Sequence, residues 1–164
     1  MRQMLKKIEG TRFYLRPKAP YNFELHQRFY SRKREQPQPE VFEEGVWRRA
    51  FRIGSRLLPI EVKAVGSVEQ PLLEIYCPMK TGVDEKRILR RELKNLFLLD
   101  YDVGPAYEFM RKYERLGRLT ELLRGLRPEN MAKDVFEGVI KAIIQQQISL
   151  NAAYAITGCL VQKF

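Results

Sequence analysis

Val46-Trp-Arg-Arg-Ala-Phe-Arg-Ile-Gly-Ser-Arg-Leu-Leu-Pro-Ile-Glu-Val-Lys-Ala64 is the stretch on which the fold turns. The strand-like run 46–53 ends at Gly54-Ser55, a pair that signals a tight hairpin. The chain then returns over 56–64 with Leu58, Ile60 and Val62 alternating. Alternation at period two means one buried face and one wet face. A further run, Pro71-Leu-Leu-Glu-Ile-Tyr76, has the same character. So does Glu9-Gly-Thr-Arg-Phe-Tyr-Leu-Arg16, which stops at Pro17 because proline cannot continue a central ladder. Between them, Pro20-Tyr21-Asn22 announces a helix with Asn22 as N-cap. Phe23, His26 or Gln27, and Tyr30 recur at helical spacing, which predicts a helix to about Lys33, and Glu35-Gln-Pro-Gln-Pro39 reads as a loop. The expectation is an α+β fold: a small antiparallel sheet with one or two helices packed on it.

From Asp84 onward the periodicity is helical. Asp84 is expected to cap a segment with Ile88, Leu89, Leu93, Leu96 and Phe97 on one face. Pro105 suits the first turn of the next helix, which carries Tyr107, Met110 and Tyr113. Leu119, Leu122 and Leu123 mark a short helix broken by Gly125. A stronger one is predicted over about 132–147, with Val135, Phe136, Val139, Ile140, Ile143 and Ile144 as an apolar stripe. Ser149 then caps a last helix through Ala152, Ile156, Leu160 and Val161. We place a domain boundary at the composition shift near 100–104, giving a β-rich α+β domain over 1–100 and an incomplete all-α domain over 101–164.

The chain has 164 residues, 30 Lys and Arg against 20 Asp and Glu, and a net charge of +10. With 45% apolar residues it can build a core, which excludes a wholly disordered chain. Residues 1–100 carry 21 basic and 13 acidic side chains, whereas 101–164 carry 9 and 7. Such a surplus fits a polyanionic partner, most often nucleic acid, or else a solvated basic surface. Cys77 and Cys159 are too few to staple the fold and, with the single histidine His26, do not make a zinc site, so neither metal nor cofactor is expected. A reducing, intracellular setting fits this cysteine usage. There is no signal-peptide pattern and no run of 18 apolar residues, so no membrane span is expected.

Catalytic patterns are scarce. The sequence has no Gly-rich phosphate loop, no Gly-x-Ser-x-Gly elbow and no His-Glu-x-x-His. His26 is expected to be structural, and Glu43-Glu44 and Asp100/Asp102 are assigned to turns and helix starts. Tyr14, Phe29, Phe42, Trp47 and Phe51 are base-stacking candidates that strand alternation mostly sends to the core. The informative segment is 134–155, in which Gln145, Gln146 and Gln147 interrupt two apolar helices. Their amides can bond base edges, and a helix N-terminus at Ser149 to Asn151 can face a phosphate. The alternative is a polar turn whose amides cap backbone groups.

The same segment resembles the helix–turn–helix of the DNA glycosylases of the helix–hairpin–helix superfamily. Phe136, Glu137, Val139, Ala142, Ile143, Gln146, Ile148, Ser149 and Ala153 fit that pattern. Leu15-Arg16-Pro17, Pro20-Tyr21-Asn22-Phe23 and the 46–54 run resemble the N-terminal domain of the 3-methyladenine glycosylase II branch. Asp100-Tyr101-Asp102 and Leu123-Arg-Gly-Leu-Arg-Pro128 resemble its connecting helices, and the 8-oxoguanine branch shares the layout. The resemblance implies base excision repair on double-stranded DNA, with flipping and hydrolytic removal of damaged, alkylated bases. It implies a wedge at Gln147 with Gln146, Ile148 and Ser149 around it, and a phosphate contact near Asn151. It also implies a catalytic aspartate and a backbone-gripping hairpin downstream of Phe164, so no catalytic residue is assigned here. Asp134 belongs to the start of the wedge helix. The chain then reads as an N-terminal half, inactive alone, from a truncation, a disrupted gene or a split enzyme. It would pair with a separate C-terminal half or self-associate. The competing reading is a non-catalytic DNA-binding or protein-interaction module on the same fold.

Overall fold

The computed structural model describes residues 10–30, 37–130 and 132–163. Glu9, the expected continuation of the first helix to Lys33, and the start of the 35–39 loop lie outside them. Five antiparallel strands form one sheet in the order β1-β5-β4-β3-β2: β1 (Thr11–Leu15), β2 (Glu40–Glu43), β3 (Val46–Ile53), β4 (Arg56–Ala64) and β5 (Leu73–Cys77). The predicted hairpin is present. Ile53 faces Arg56, and Gly54 closes the turn at φ +58°, a conformation that costs glycine nothing. Pro59 stands opposite Ala50 in β4, while β5 pairs only with Glu61 to Ala64. The proline therefore sits where β4 has a strand on one side only, the one place a sheet tolerates it.

β2 was not anticipated. Glu40-Val-Phe-Glu43 pairs with Arg49 to Val46 through a two-residue turn, Glu44 and Gly45, both in the left-handed region at φ +51° and +76°. Only Glu44 of the Glu43-Glu44 pair is thus a turn residue.

The sheet buries one face. Phe13, Leu15, Trp47, Phe51, Leu58, Ile60, Val62, Leu73, Ile75 and Cys77 form the core from the strand side. The helices α1 (Phe23–Tyr30) and α2 (Val83–Leu96) cover it with Phe23, Leu89, Leu93 and Leu96, followed by Phe97 and Leu99. Trp47 meets Phe97 edge-on at 4.9 Å between ring centroids, and Phe23 meets it at 5.6 Å. Each such side chain withdraws enough apolar surface to contribute about 1.5–3 kcal/mol. Trp47 and Phe51 are therefore core, Phe42 packs partly against it, and Tyr14 and Phe29 remain at the surface.

Helix starts follow the side chains that satisfy orphan amides. Asn22 Oδ1 accepts the Leu25 N–H at 3.0 Å, as expected of an N-cap. The expectation that Asp84 caps α2 is corrected: Gly82 is the N-cap, and Asp84 is the second helical residue. The Glu85 carboxylate accepts the Gly82 N–H at 2.8 Å and is itself held by Arg56 at 2.7 Å. The remaining helices are α3 (Gly104–Met110), α4 (Glu114–Leu122), α5 (Val135–Gln145) and α6 (Leu150–Lys163), with Pro105 in the first turn of α3. Asp102 accepts the Gly104 N–H at 2.9 Å and pairs with Lys18 at 2.7 Å, while Asp100 pairs with Lys94, so both carboxylates serve turns and helix starts.

Past α4 the chain returns to the sheet domain. Gly125, at φ +83°, presses on the start of α1: a Cβ there would lie 2.5 Å from the Asn22 nitrogen. Its carbonyl accepts the Asn22 N–H at 3.0 Å. Two residues on, the Arg127 side chain is buried and fans onto five carbonyls. It donates to Leu98, Leu99 and Tyr101 at 3.1–3.3 Å, and to Lys18 and Pro20 at 2.5 and 2.8 Å. Replacing Arg127 by Met strips these carbonyls of a buried donor, with Leu98 and Leu99 keeping only the Tyr101 and Lys18 N–H groups, and is expected to cost about 3 kcal/mol in urea denaturation. Arg127→Lys should recover less than half, because an ammonium lacks the planar fork. A loss below about 1 kcal/mol would mean water replaces the guanidinium.

Candidate nucleic-acid interface

α5 begins where Asp134 Oδ1 accepts the Glu137 N–H at 2.9 Å. Asp134 is thus an N-cap at the start of the helix, and that bond is the first cause holding its carboxyl below the usual range. The helix ends at Gln145 rather than the predicted 147, since Gln146 turns to extended backbone at ψ 130° and Gln147 to the left-handed region at φ +57°. Ser149 then starts α6, its Oγ accepting the Ala152 N–H at 3.2 Å. Gln146, Gln147, Ile148, Ser149 and Asn151 are all exposed and lie together on this one turn and the first turn of α6. A glutamine in the left-handed region stores about 1 kcal/mol of backbone strain. Between Lys141 and Lys163 the sequence carries no charged residue, so the apex offers amides, a hydroxyl and apolar surface but no cation.

The flanking helices are only partly covered. Val135 and Phe136 are about four-fifths exposed, at 82% and 77%, and Val139, Ile143, Leu150 and Ile156 are also exposed. Ile140 and Ile144 are half-buried, α5 buries no residue, and α6 buries only Ala153 and Gly158. The two helices pack on each other, and most of their expected apolar stripe faces outward.

A polar cluster beneath α5 went unread in the sequence. Arg49 occupies an inward position of β3 between Trp47 and Phe51 and is buried. It pairs with Glu40 at 2.9 Å and with Glu137 of α5. Glu137 also takes Lys141 at 2.7 Å and the Lys133 N–H at 3.2 Å. Burial pushes the Glu137 carboxyl up, but Lys141 and Arg49 together bring it below the ordinary range. The detectable signal was the alternation itself, which puts position 49 on the core side of its strand. Nearby, His26 is fully buried with Nδ1 3.6 Å from Glu129, as a structural histidine would be. Burial lowers His26 to about 4, with the Pro128 carbonyl opposing. Burial raises Glu129 to about 8, with the Glu40 charge adding to it and Lys141 and Arg49 opposing. Among the described residues no three His, Cys, Asp or Glu side chains gather to hold a metal ion, and no helix is long and apolar enough to cross a membrane.

An antiparallel sheet capped by two helices and followed by a helix–turn–helix with an exposed polar apex is the architecture of the N-terminal half of the helix–hairpin–helix-superfamily DNA glycosylases, which this chain resembles. In particular, it is similar to the 3-methyladenine DNA glycosylase from Archaeoglobus fulgidus, with TM-score 0.78 and 30% identity over 93% of this chain and 50% of that one. It also shares the fold of MBOgg1, solved in complex with a low-affinity DNA ligand, with TM-score 0.55 and 20% identity over 86% of this chain and 42% of that one. The chain spans about half the length of these relatives. No protein-family model matches the sequence, and no curated protein matches it.

The two buried groups fix how stability depends on pH. His26 is neutral in the fold and must gain a proton as pH falls from 6.5 towards 4, so its contribution is lost on that side. Glu129 is protonated in the fold, so its contribution is full below 4.5 and lost as pH rises to about 8. The opposed slopes offset each other between 4.5 and 6.5, and Glu129 acts alone above that. The urea midpoint should therefore fall between pH 6.5 and 8, and Glu129→Gln should flatten that fall. An undiminished fall in the variant would assign it to another group.

Proposed function

We propose that this chain is the wedge-bearing half of a DNA glycosylase acting in base excision repair inside the cell. The supporting observation is the 30% identity to a 3-methyladenine glycosylase over 93% of the chain, joined to an exposed, uncharged glutamine turn at the apex of α5 and α6. Its partner is double-stranded DNA. Gln147 enters the stack in place of a flipped nucleotide, Gln146 and Ile148 line the same gap, and the start of α6 at Ser149 and Asn151 faces the phosphate. The stronger likeness favours an alkylated base as the lesion, removed by hydrolysis of the N-glycosidic bond. We assign the catalytic acid to no residue of this chain. We read 1–100 as the sheet domain and 101–164 as the first helices of the glycosylase helical domain.

The exposed apolar surface of α5 and α6 fits this reading. Val135, Phe136, Val139 and Ile143 face outward on a helix that buries nothing, an arrangement that calls for cover. We assign the cover to a polypeptide equivalent to the half of the relative that this chain does not span. A second copy of the chain is the other occupant. A non-catalytic DNA-binding or protein-interaction module is the competing function, and the absence of any charge from 142 to 162, which leaves the apex no cation for a phosphate backbone, favours its protein-interaction form.

Anisotropy with labelled duplex should give weak, sequence-tolerant binding. If about four phosphates are neutralised, log K should fall with log salt at a slope of roughly −3 to −4. In the same samples the purified chain should release no alkylated base, and release should begin when the complementary half is added. Salt-independent binding, or release by the chain alone, would overturn the proposal.

Light scattering and hydrogen exchange probe the apolar surface. Alone, the chain should self-associate, or exchange fast over 132–163 and slowly over 46–64. A monomer equally protected in both regions would be a self-contained module instead.

A further inference from the structure

α5 is attached to the sheet by charge rather than by apolar packing. It buries none of its residues, yet Glu137 in its first turn reaches the guanidinium of Arg49, which rises from the core side of β3. Arg49 is 6% exposed at the side chain and Glu137 15%, so water screens this pair little. The geometry is over-determined at both ends. Arg49 is anchored by Glu40 on β2, and Glu137 is fixed by its own N–H on Asp134, by the Lys133 N–H and by Lys141. Ion pairs of this kind have direction, because a guanidinium meets a carboxylate in its own plane. An apolar contact would let the helix slide and roll.

The consequence lies at the other end of the helix. Gln145, where α5 ends and the glutamine turn begins, is eight residues beyond Glu137, about 12 Å along the axis at the usual helical rise. A tilt of about 10° at Glu137 would move that end of the helix by about 2 Å, more than half the thickness of a stacked base, whose rise is about 3.4 Å. We propose that Arg49 is the positioning residue of the glutamine turn: by holding Glu137 it sets the direction in which α5 presents Gln146, Gln147 and Ile148. This inference rests on the reading of that turn as a wedge, whereas the tie itself does not.

Two measurements separate the tie from the reading. Spin labels are placed at Arg52→Cys on the outer side of β3 and Gln145→Cys at the end of α5, in a Cys159→Ser background that leaves only the buried Cys77. The full chain should give one narrow distance distribution. Arg49→Met and Glu137→Ala should each broaden or shift it, and Arg49→Lys, which keeps the charge but not the fork, should fall between. Hydrogen exchange in the sheet should stay protected in Glu137→Ala, which alters no strand, so this variant decides the matter if Arg49→Met does not fold. The second measurement is the ratio of affinities for duplex with and without an abasic site. Wild type should favour the abasic duplex, and both variants should lose most of that preference with the salt slope unchanged. An unchanged distance distribution in folded Glu137→Ala overturns the inference, as does an altered distribution with the preference intact. If wild type shows no preference while the variants still alter the distribution, the wedge reading fails and the tie stands as a structural one.

Discussion

Five carbonyl oxygens converge on one buried guanidinium, and the placement of α5 and α6 depends on where they hold it. Arg127 takes oxygens from the loop between β1 and α1 and from the turn after α2, and its plane lies over the Tyr21 ring at 4.5 Å. A buried charge without a carboxylate is costly unless dipoles replace water completely. Here five of them take its two terminal nitrogens, and the result is a joint among three segments that no apolar contact would fix as narrowly. Burial pulls Arg127 below its ordinary range, but an arginine remains charged. From that joint the strap continues to Asn130, whose amide donates to Asn95 at 2.6 Å and whose N–H donates to Leu96. Four residues later Asp134 starts α5. The departure point of the helix that carries the turn is thus fixed by backbone oxygens of the sheet domain.

The two halves of the chain are held by different forces. The sheet and its two helices are fastened by aromatic and aliphatic burial, which is strong and has no direction. The α5–α6 pair is fastened by Arg49, Glu137 and the strap, which give direction and little area. Charged ties lose their partner water on assembly and contribute modest net stability, so the pair belongs to the weakly held end of the molecule. Such a division suits an element that must be aimed accurately and must still accept a covering surface.

Period-two alternation and one glycine made the β3–β4 hairpin legible, and capping chemistry made Asn22 and Ser149 legible, whereas the Asp134 cap, which starts α5 at 135 rather than about 132, was not read from it. The failures have physical causes. β2 has four residues with glutamate at both ends, and its single inward aromatic, Phe42, gives too short a pattern to register. Asp84 looked like the cap because glycine has no side chain with which to announce itself, and Gly82 caps only through the reach of Glu85. The glutamine turn was visible as a polar interruption between apolar helices, but the left-handed Gln147 was not, since glutamine has no preference for that region. Arg49 was not legible because a guanidinium ordinarily stays in water, even where both its period-two neighbours, Trp47 and Phe51, are core. Only the half-buried acceptors Glu40 and Glu137, far apart in sequence, reveal why it faces inward.

The distribution of charge bears on how a glycosylase half of this kind would share its work. A cationic tip would be drawn to the phosphates that line the outside of the duplex and held there, away from the stack. A tip of glutamine amides has only hydrogen bonds to exchange when it leaves water, and base edges offer donors and acceptors in return. The same neutrality means that the apex contributes little to affinity. On the proposed reading, attraction would come from the basic surplus, most of which lies in residues 1–100. Attraction and insertion would then, on that reading, be set by different residues at different ends of the chain. The parts that would join them are Arg49 and the Arg127 strap, which tie the α5 end of the chain to the sheet. On the proposed reading, the accuracy of insertion would be a property of buried polar contacts behind the turn rather than of the turn itself.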